Sequence, residues 1–596
     1  WSLSNPSQLV HDILLLLDRY GQSYIDSLPI SADGNGYTRD KESGDKLKKI
    51  LEKHDIKKTL SPRETFDELS RLYKVPEEYT REERRRIVGV LYDMERANFS
   101  AINPFTIASN VDMELVSIIN EDKEHYTGAK TVTVPVREYK TEYAAHILGR
   151  VGPIFAEEYE EYAAKGYAMN ARVGKDGVEK AFEDYLKGTS GTTTYNVTKT
   201  GKTLDIVSSQ PAFAGNNVYL TLDIRLQEAT ERALQEHITR INAEKVSEGL
   251  EAECDGGAAV MIGVNTGDIL ACASYPTFDI KNFSRDYASL ISNEAKPLFN
   301  RAISGTYPPG SVFKMVSATA ALQSGIITPE TEIVDYGVYT YYKPYTYRCW
   351  LYSDYGMTHG TLNVSGAIKH SCNYFFYETA RLMGIDTITE YASRFGLGEY
   401  TGIELSNEAK GVVAGPKERK KAGGSWYAGD TLIAAIGQSD HLFTPLQLAN
   451  YVATIANGGT RYKAHLLNAV VKSDNSEMIF KSEPTVANKI DYTEENHRAV
   501  LDGMLSVTED GTASKVFADY GVKVVGKTGS AQVGSGSANG VFVLAAPYED
   551  PEVAIAVLVE HGGSGNNVAW IARDMLTAYF DCKEALSGEY DNTLLR

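Results

Sequence analysis

Cysteine is scarce and poorly arranged for a covalent framework. Five thiols, Cys254, Cys272, Cys349, Cys372 and Cys582, are spread over 596 residues, an odd number with no C-x-x-C pair. That excludes a disulfide-stapled scaffold, and Cys254, Cys272 and Cys582 read as small buried hydrophobes. Basic charge is also in deficit: 60 Lys+Arg stand against 79 Asp+Glu, a net −19. A general nucleic-acid binder needs a basic face, so that class is excluded, and no polybasic membrane patch is present. A bilayer-spanning run is missing too. The longest early apolar stretch, Ile13 to Leu17, is far too short to cross a membrane. The chain begins at Trp1 rather than methionine, so a signal or anchor is expected ahead of it. No internal repeat is apparent. What remains is an ordinary globular composition, 43% hydrophobic and 23% charged, over a length that calls for more than one domain.

Three short motifs carry chemistry: Ser311-Val312-Phe313-Lys314, Ser371-Cys372-Asn373, and Lys527-Thr528-Gly529-Ser530. A free serine hydroxyl is a poor nucleophile and needs an adjacent base. Pro308-Pro309-Gly310 ends the preceding segment and sets up a helix start, which places Ser311 in the first turn and Lys314 one turn later on the same face. For Lys314 to act as a base it must be neutral part of the time, which burial and neighbouring cations achieve. Lys527 ends the apolar run Val522 to Gly526, which reads as an edge strand entering the site. Each motif alone is weak; Ser-x-x-Lys on a helix surface is usually a cap and a solvated charge. Their order and context point to acyl transfer.

Residues 1 to about 100 read as charged helices, including the Leu14–Leu17 run and Thr80 to Arg96, with the all-charged Arg81–Arg86 taken as a solvated face. Gly34-Asn35-Gly36 marks a loop. Lys130 to Val136 alternates like a strand, with Pro135 arguing for an edge. His146 to Gly152 is compact and glycine-rich. A boundary falls near Gly215. A long amphipathic helix is expected over about Arg225–Glu244, and a hairpin joins Ala258–Ile262 to Ile269–Ser274 through Asn265-Thr266-Gly267-Asp268. Three late strands, Val522–Thr528, Val541–Ala546 and Val553–Glu560, and a closing helix over roughly Asn567–Tyr579 complete the pattern. Two strands early and three late predict one antiparallel sheet with helices on it, an α+β fold, while a helical middle carries the first two motifs.

With Asn300-Arg301-Ala302, Tyr307-Pro308-Pro309-Gly310-Ser311, Leu220-Thr221-Leu222-Asp223 and Thr444-Pro445-Leu446-Gln447 added to the three motifs, the chain resembles a class B penicillin-binding protein of the elongation type. His146 to Gly152 is similar to a segment of that family's pedestal. The resemblance implies a five-stranded antiparallel sheet flanked by helices plus an all-helical subdomain, with a non-catalytic pedestal over 1–215 and a serine D,D-transpeptidase domain over 216–596. It implies cross-linking of peptidoglycan stem peptides through a serine acyl-enzyme, covalent inhibition by β-lactams, a membrane glycosyltransferase as partner, and work on the outer side of the cytoplasmic membrane behind a single N-terminal anchor. Carried over by residue, Ser311 is the nucleophile, Lys314 its base, and Ser371 and Asn373 the proton relay and substrate clamp. Lys527 and Thr528 bind the substrate carboxylate in the Lys527–Ser530 strand, with Gly529 between. The backbone N–H groups of Ser311 and Ser530 form the oxyanion hole. Ser530 stands where the family often has threonine, and both keep a hydroxyl. The competing readings are a serine β-lactamase or D,D-carboxypeptidase, and a β-lactam sensor that never turns over.

Asp335, Cys349, His359 and Cys372 together suit tetrahedral zinc. By spacing alone the four residues could be unrelated, Cys349 and Cys372 could pair as a disulfide, and Asp354 could replace Asp335. Some elongation-type relatives resemble this set, which implies a structural zinc under the Ser-x-Asn motif; no organic cofactor is expected. His370 and His441 read as surface or satisfied core residues.

Overall fold

A computed structural model describes residues 5–38, 41–100, 103–134, 136–168, 171–197, 203–534 and 536–591. Trp1 and Pro135 lie outside these. The chain packs as two units, 1–136 and 137–596.

The first unit includes the helices α1 (Pro6–Arg19), α2 (Lys41–Lys53), α3 (Pro62–Leu72) and α4 (Arg81–Arg96), with a further helix over Met113–Glu121. Capping boxes start two of them. Ser61 and Glu64 bond reciprocally at α3, as do Thr80 and Glu83 at α4, so free N–H groups of the first turn find partners. Val10, Leu14 and Leu17 of α1 share one core with Phe66, Leu69, Val88 and Leu91. The charge run on α4 is not a solvated face throughout. Arg85 is 6% exposed; it bonds the Asp26 carboxylate at 2.8 Å and the carbonyls of Leu28 and Ile30. Gly89, one turn on, is required there: a Cβ would stand 2.3 Å from Asp26 Oδ1. The expected strand at 130–136 does not form among its described residues. Val132, Val134 and Val136 are all exposed, so no buried face rewards pairing.

The second unit holds a five-stranded antiparallel sheet. Its strands are β1 (Gly257–Gly263), β2 (Ile269–Tyr275), β3 (Val525–Ala531), β4 (Asn539–Ala546) and β5 (Val553–Val559), in the order β3-β4-β5-β1-β2. β1 and β2 form the expected hairpin, and β3 is an edge strand. β1, β4 and β5 are buried along their whole length, which is why they read as continuous apolar runs rather than alternating ones. Helices α5 (Ile224–Ser247) and α10 (Gly565–Asp591) pack on each other and on the sheet, and α8 (Pro445–Ala456) packs against β1 and β5. In the sequence between β2 and β3 lie α6 (Lys314–Gln323), α7 (Asn373–Arg394) and α9 (Glu494–Glu509). The apolar run reaches its strand later than expected: Val522–Val524 lie outside β3, and Lys527 is interior to it.

Residues 144–186 join the same core as the sheet through Ala144, Ile147, Val178 and Phe182. The Ala144 N–H donates to Glu231 at 2.7 Å, and the half-buried His146 bonds the Pro297 carbonyl through Nε2 at 2.7 Å. Burial lowers the His146 pKa to about 4, so it is neutral and donates.

Candidate active site

The turn before α6 is a 3₁₀ segment, Gly310–Phe313, rather than the first turn of the α-helix itself. Gly310 sits at φ +57°, donates to the Gly437 carbonyl at 2.9 Å, and lies so close to β3 that a Cβ would stand 2.8 Å from the Ser530 carbonyl oxygen. Gly529 is confined from the opposite side, where a Cβ would come within 3.0 Å of the Pro309 oxygen and of Val312. The glycines of the first and third motifs therefore exist so that the Ser311 turn and β3 can touch. The Tyr451 hydroxyl, from α8, donates to the Val312 carbonyl and fixes the turn from behind. Ser311 is half-buried.

Lys314 is 0% exposed. Its Nζ donates to the Ser371 carbonyl at 2.8 Å, the Ser371 Oγ at 3.1 Å and the Asn373 Oδ1 at 2.6 Å. All three acceptors are uncharged. Burial lowers the lysine pKa to about 8, against an upward pull from the thiols of Cys349 and Cys372. The first two motifs thus meet at one nitrogen.

Ser371 owes its position to a strained turn. The short helix Val364–Lys369 ends with the Ser371 N–H on the Ile368 carbonyl and the Cys372 N–H on the Ala367 carbonyl. That is the paired bonding of a Schellman cap, whose left-handed position usually holds glycine. Here Ser371 holds it, at φ +54°. A β-carbon there is disfavoured, and such strain is retained where the side chain is needed. The turn aims Ser371 Oγ at Lys314, and Asn373 opens α7 one residue after the cap.

Lys527, on β3, is also 0% exposed, and its Nζ donates to the Thr528 carbonyl at 3.0 Å. Burial, and then the charge of Lys314, push its pKa well below the ordinary lysine range. The Thr528 Oγ1 is 2.8 Å from the Thr512 Oγ1. Gln438 Nε2 donates to the Ser530 carbonyl at 3.4 Å. Thr512, Gln438 and Tyr451 belong to no motif, and nothing in their local sequence marks them.

Beneath Ser371 and Asn373 is a candidate metal-binding cluster. Asp335, Cys349, His359 and Cys372 each offer one donor atom, all within 4.8 Å of one another. Asp335 comes from the strand Ile333–Asp335, and Cys372 is the N-cap of α7. His359 Nδ1 lies 3.5 Å from Cys349 Sγ and 2.9 Å from Asp335 Oδ2. The thiols are 3.9 Å apart and both free, so they do not form the disulfide that spacing allowed. Asp354 is exposed and outside the cluster; Asp335 is its carboxylate. The Cys372 thiol bonds Cys349, and with His359 holds that sulfur well below the usual thiol range, while Cys372 is pushed up. His370 is half-buried. His441 is a satisfied core residue, accepting from the Ala414 N–H on Nδ1 and bonding the Ala434 carbonyl through Nε2.

A helix-covered antiparallel sheet whose edge strand carries a Lys-Thr-Gly against a buried Ser-x-x-Lys turn defines the class of penicillin-recognising serine proteins. The family models agree with that class. The penicillin binding protein transpeptidase domain matches residues 257–577, and the penicillin-binding protein dimerisation domain matches 33–220. The chain belongs to the penicillin-binding protein transpeptidase family, on the elongation-type (PBP2) branch. It is 31% identical to the peptidoglycan D,D-transpeptidase MrdA of Escherichia coli, over 81% of this chain and 77% of that one. The MrdA of Haemophilus influenzae is 31% identical over 86% of this chain and 81% of its own length. Among solved structures, Pseudomonas aeruginosa PBP2 in complex with WCK 5153 superposes with a TM-score of 0.62 at 31% identity, covering 74% of this chain and 88% of that one. PBP2 of Helicobacter pylori, solved in complex with MreC, gives 0.69 at 25% identity, covering 88% and 93%.

Proposed function

We propose that this chain is a peptidoglycan D,D-transpeptidase and that Ser311 carries the acyl group. One observation supports this above all: a buried lysine, one helical turn after a half-buried serine, is held between the side chains of Ser371 and Asn373 with no carboxylate beside it. Such an amine can be neutral near physiological pH and can take a proton.

In this reading, Lys314 Nζ accepts the Ser311 hydroxyl proton as Oγ attacks the carbonyl carbon of the D-Ala-D-Ala bond. The N–H groups of Ser311 and Ser530 receive the charge that develops on the carbonyl oxygen, a donor pair in which losing one member costs about 3–4 kcal/mol of transition-state stabilisation. The proton passes through Ser371 to the departing D-alanine nitrogen, and the C–N bond breaks. An amine from a neighbouring stem peptide then attacks the ester, returns a proton along the same path and frees Ser311. Lys527 and Thr528 hold the terminal carboxylate, with Gly529 allowing the close approach and Ser530 completing the strand. A β-lactam enters the same path, but its ring nitrogen stays tethered after the bond breaks.

The cluster under Ser371 fits structural zinc. Tetrahedral zinc sets sulfurs ~3.8 Å apart, sulfur and nitrogen or oxygen ~3.5 Å, and nitrogen and oxygen ~3.3 Å. The corresponding distances here are 3.9 Å between sulfurs, 3.5 Å from Cys349 to His359, 3.7 Å from Cys372 to Asp335, and 2.9 Å from His359 to Asp335. Four protein ligands leave no open position, so the metal would hold Cys372, and through it Ser371 and Asn373, without entering the reaction.

The domain division that goes with this function is a pedestal at 1–215 and the transpeptidase at 216–596. Its substrate is a polymer outside the cytoplasmic membrane. Among the described residues no helix is long and apolar enough to cross a membrane. The reading takes from the elongation-type family a membrane anchor and a membrane glycosyltransferase as partner.

Intact-mass measurement after incubation with benzylpenicillin tests the proposal. The whole penicillin mass should add to the chain and persist for many minutes, and Ser311→Ala should abolish the adduct. A stoichiometric adduct on the alanine variant would overturn the assignment. Rapid recovery of free protein with catalytic β-lactam loss would favour a hydrolase.

A further inference from the structure

We propose that Thr512 is a positioning residue for carboxylate recognition. It acts through Thr528, and so rests on the function proposed above. Thr512 belongs to a short segment that fastens the second motif to the third. At its start Thr508, on α9, donates to the Val524 carbonyl just before β3. Asp510 then pairs with Lys369, at the end of the helix that leads into Ser371. Gly511 is wedged between α9 and that helix: a Cβ there would stand 2.7 Å from the Ser506 oxygen and 3.1 Å from the Lys369 oxygen. Thr512 follows, and its hydroxyl reaches the Thr528 hydroxyl at 2.8 Å. Three successive contacts therefore determine where one side chain sits.

The chemistry of the hydroxyl pair sets its direction. A threonine hydroxyl has one proton to give, and an ionised carboxylate only accepts. If Thr528 is to serve a carboxylate, its proton must point at the ligand, so its remaining bond to Thr512 must be one it accepts. Thr512 is the donor. Without that donor, the Thr528 hydroxyl is free to rotate away, and the site must order it on binding. A preorganised donor loses less on binding than a free rotor. Thr512 also lines a cleft of about 520 Å³ shared with Ser514, Lys515, Ser564 and Asn567.

The test uses the full chain and two ligands that differ only at the carboxylate: benzylpenicillin and its methyl ester. Thr512→Val keeps the shape and removes the hydroxyl, and Thr512→Ser restores it. Stopped-flow acylation separates the dissociation constant of the first complex from the rate of acylation. Thr512→Val should weaken the first complex with benzylpenicillin about three- to tenfold, the scale of one hydrogen bond. Its acylation rate constant, and its reaction with the ester, should stay within about twofold of the parent by the same measure. Thr512→Ser should match the parent for both ligands. If Thr512→Val does not fold, Thr512→Cys, close in volume and a weak donor, carries the same comparison with a smaller loss confined to benzylpenicillin. Equal loss toward both ligands, or none toward benzylpenicillin, overturns the role of Thr512. Absence of any adduct on the parent chain would instead overturn the acyl-enzyme reading of Ser311.

Discussion

The core of the first unit and the active site of the second bury positive charge in opposite ways. In the first, Arg85 is enclosed with a carboxylate, Asp26, and with two backbone carbonyls that take its remaining donors. In the second, Lys314 and Lys527 are enclosed with uncharged acceptors, and the charge of Lys314 acts on Lys527. A buried charge that is paired and hydrogen-bonded is a structural element, and it becomes a liability only when its partner is removed. A buried amine without a carboxylate sheds its proton instead, and a lysine that titrates near neutrality is a chemical tool. The contrast shows that burial does not identify a functional cation; the partner does.

The contrast breaks most visibly at Lys314. Lys314→Ala should slow acylation by penicillin about 10²–10⁴-fold, the range of a general base, while leaving the fold intact. Rapid-quench mass spectrometry measures this, and a variant that acylates at the parent rate would show that the base lies elsewhere. Arg85→Ala should do the reverse. It leaves Asp26 buried without its cation, where burial already raises the carboxyl pKa, and should cost about 3–5 kcal/mol in urea unfolding. Acylation of the folded protein should not change. A loss of acylation with unchanged stability would contradict the structural role given to Arg85.

The pH profile sharpens the comparison further. The Lys314 pKa is lowered to about 8, so below that pH the amine is protonated and cannot accept the serine proton. The acylation rate constant should rise roughly tenfold per pH unit up to about 8 and then level, as a single titration requires. Lys527 works with the other sign. In the proposed reaction its charged form holds the carboxylate, and its pKa is depressed, so affinity in the first complex should weaken as pH rises. A pH-independent acylation constant would mean that Lys314 does not titrate in this step. The smallest effect concerns the metal. Elemental analysis should find zinc in the chain, and chelation or Cys372→Ser should slow acylation by about tenfold or somewhat more, the scale of losing a supporting ligand shell. Metal-free preparations with freely reactive Cys349 and Cys372 would count against zinc.

Much of the site was legible because acyl transfer requires particular residue types at short, local spacings. Ser311 and Lys314 are one turn apart, Ser371 and Asn373 straddle a cap, and Lys527–Ser530 run along one strand. The sheet was legible for a similar reason: strands buried on both faces read as apolar runs such as Val541–Ala546 and Val553–Val559. The failures lay where burial is set by distant neighbours. Arg85 looked solvated because its carboxylate partner is 59 residues away in sequence. Lys130–Val136 had the period of a strand but lacks a face to bury.

The sequence by itself determined which chemistry the chain can perform, and the order of elements that carries it, because those depend on residue type and on periods of two and 3.6. Tertiary structure alone decided that Asp335 rather than Asp354 joins the cluster, that Cys349 and Cys372 stay free, that Ser371 is held at a left-handed cap, and that Thr512 meets Thr528. Each of these is a contact between segments that the chain must fold to bring together. Local propensity carries no record of such a meeting, because its energy comes from packing and hydrogen bonds that exist only once the segments are in place.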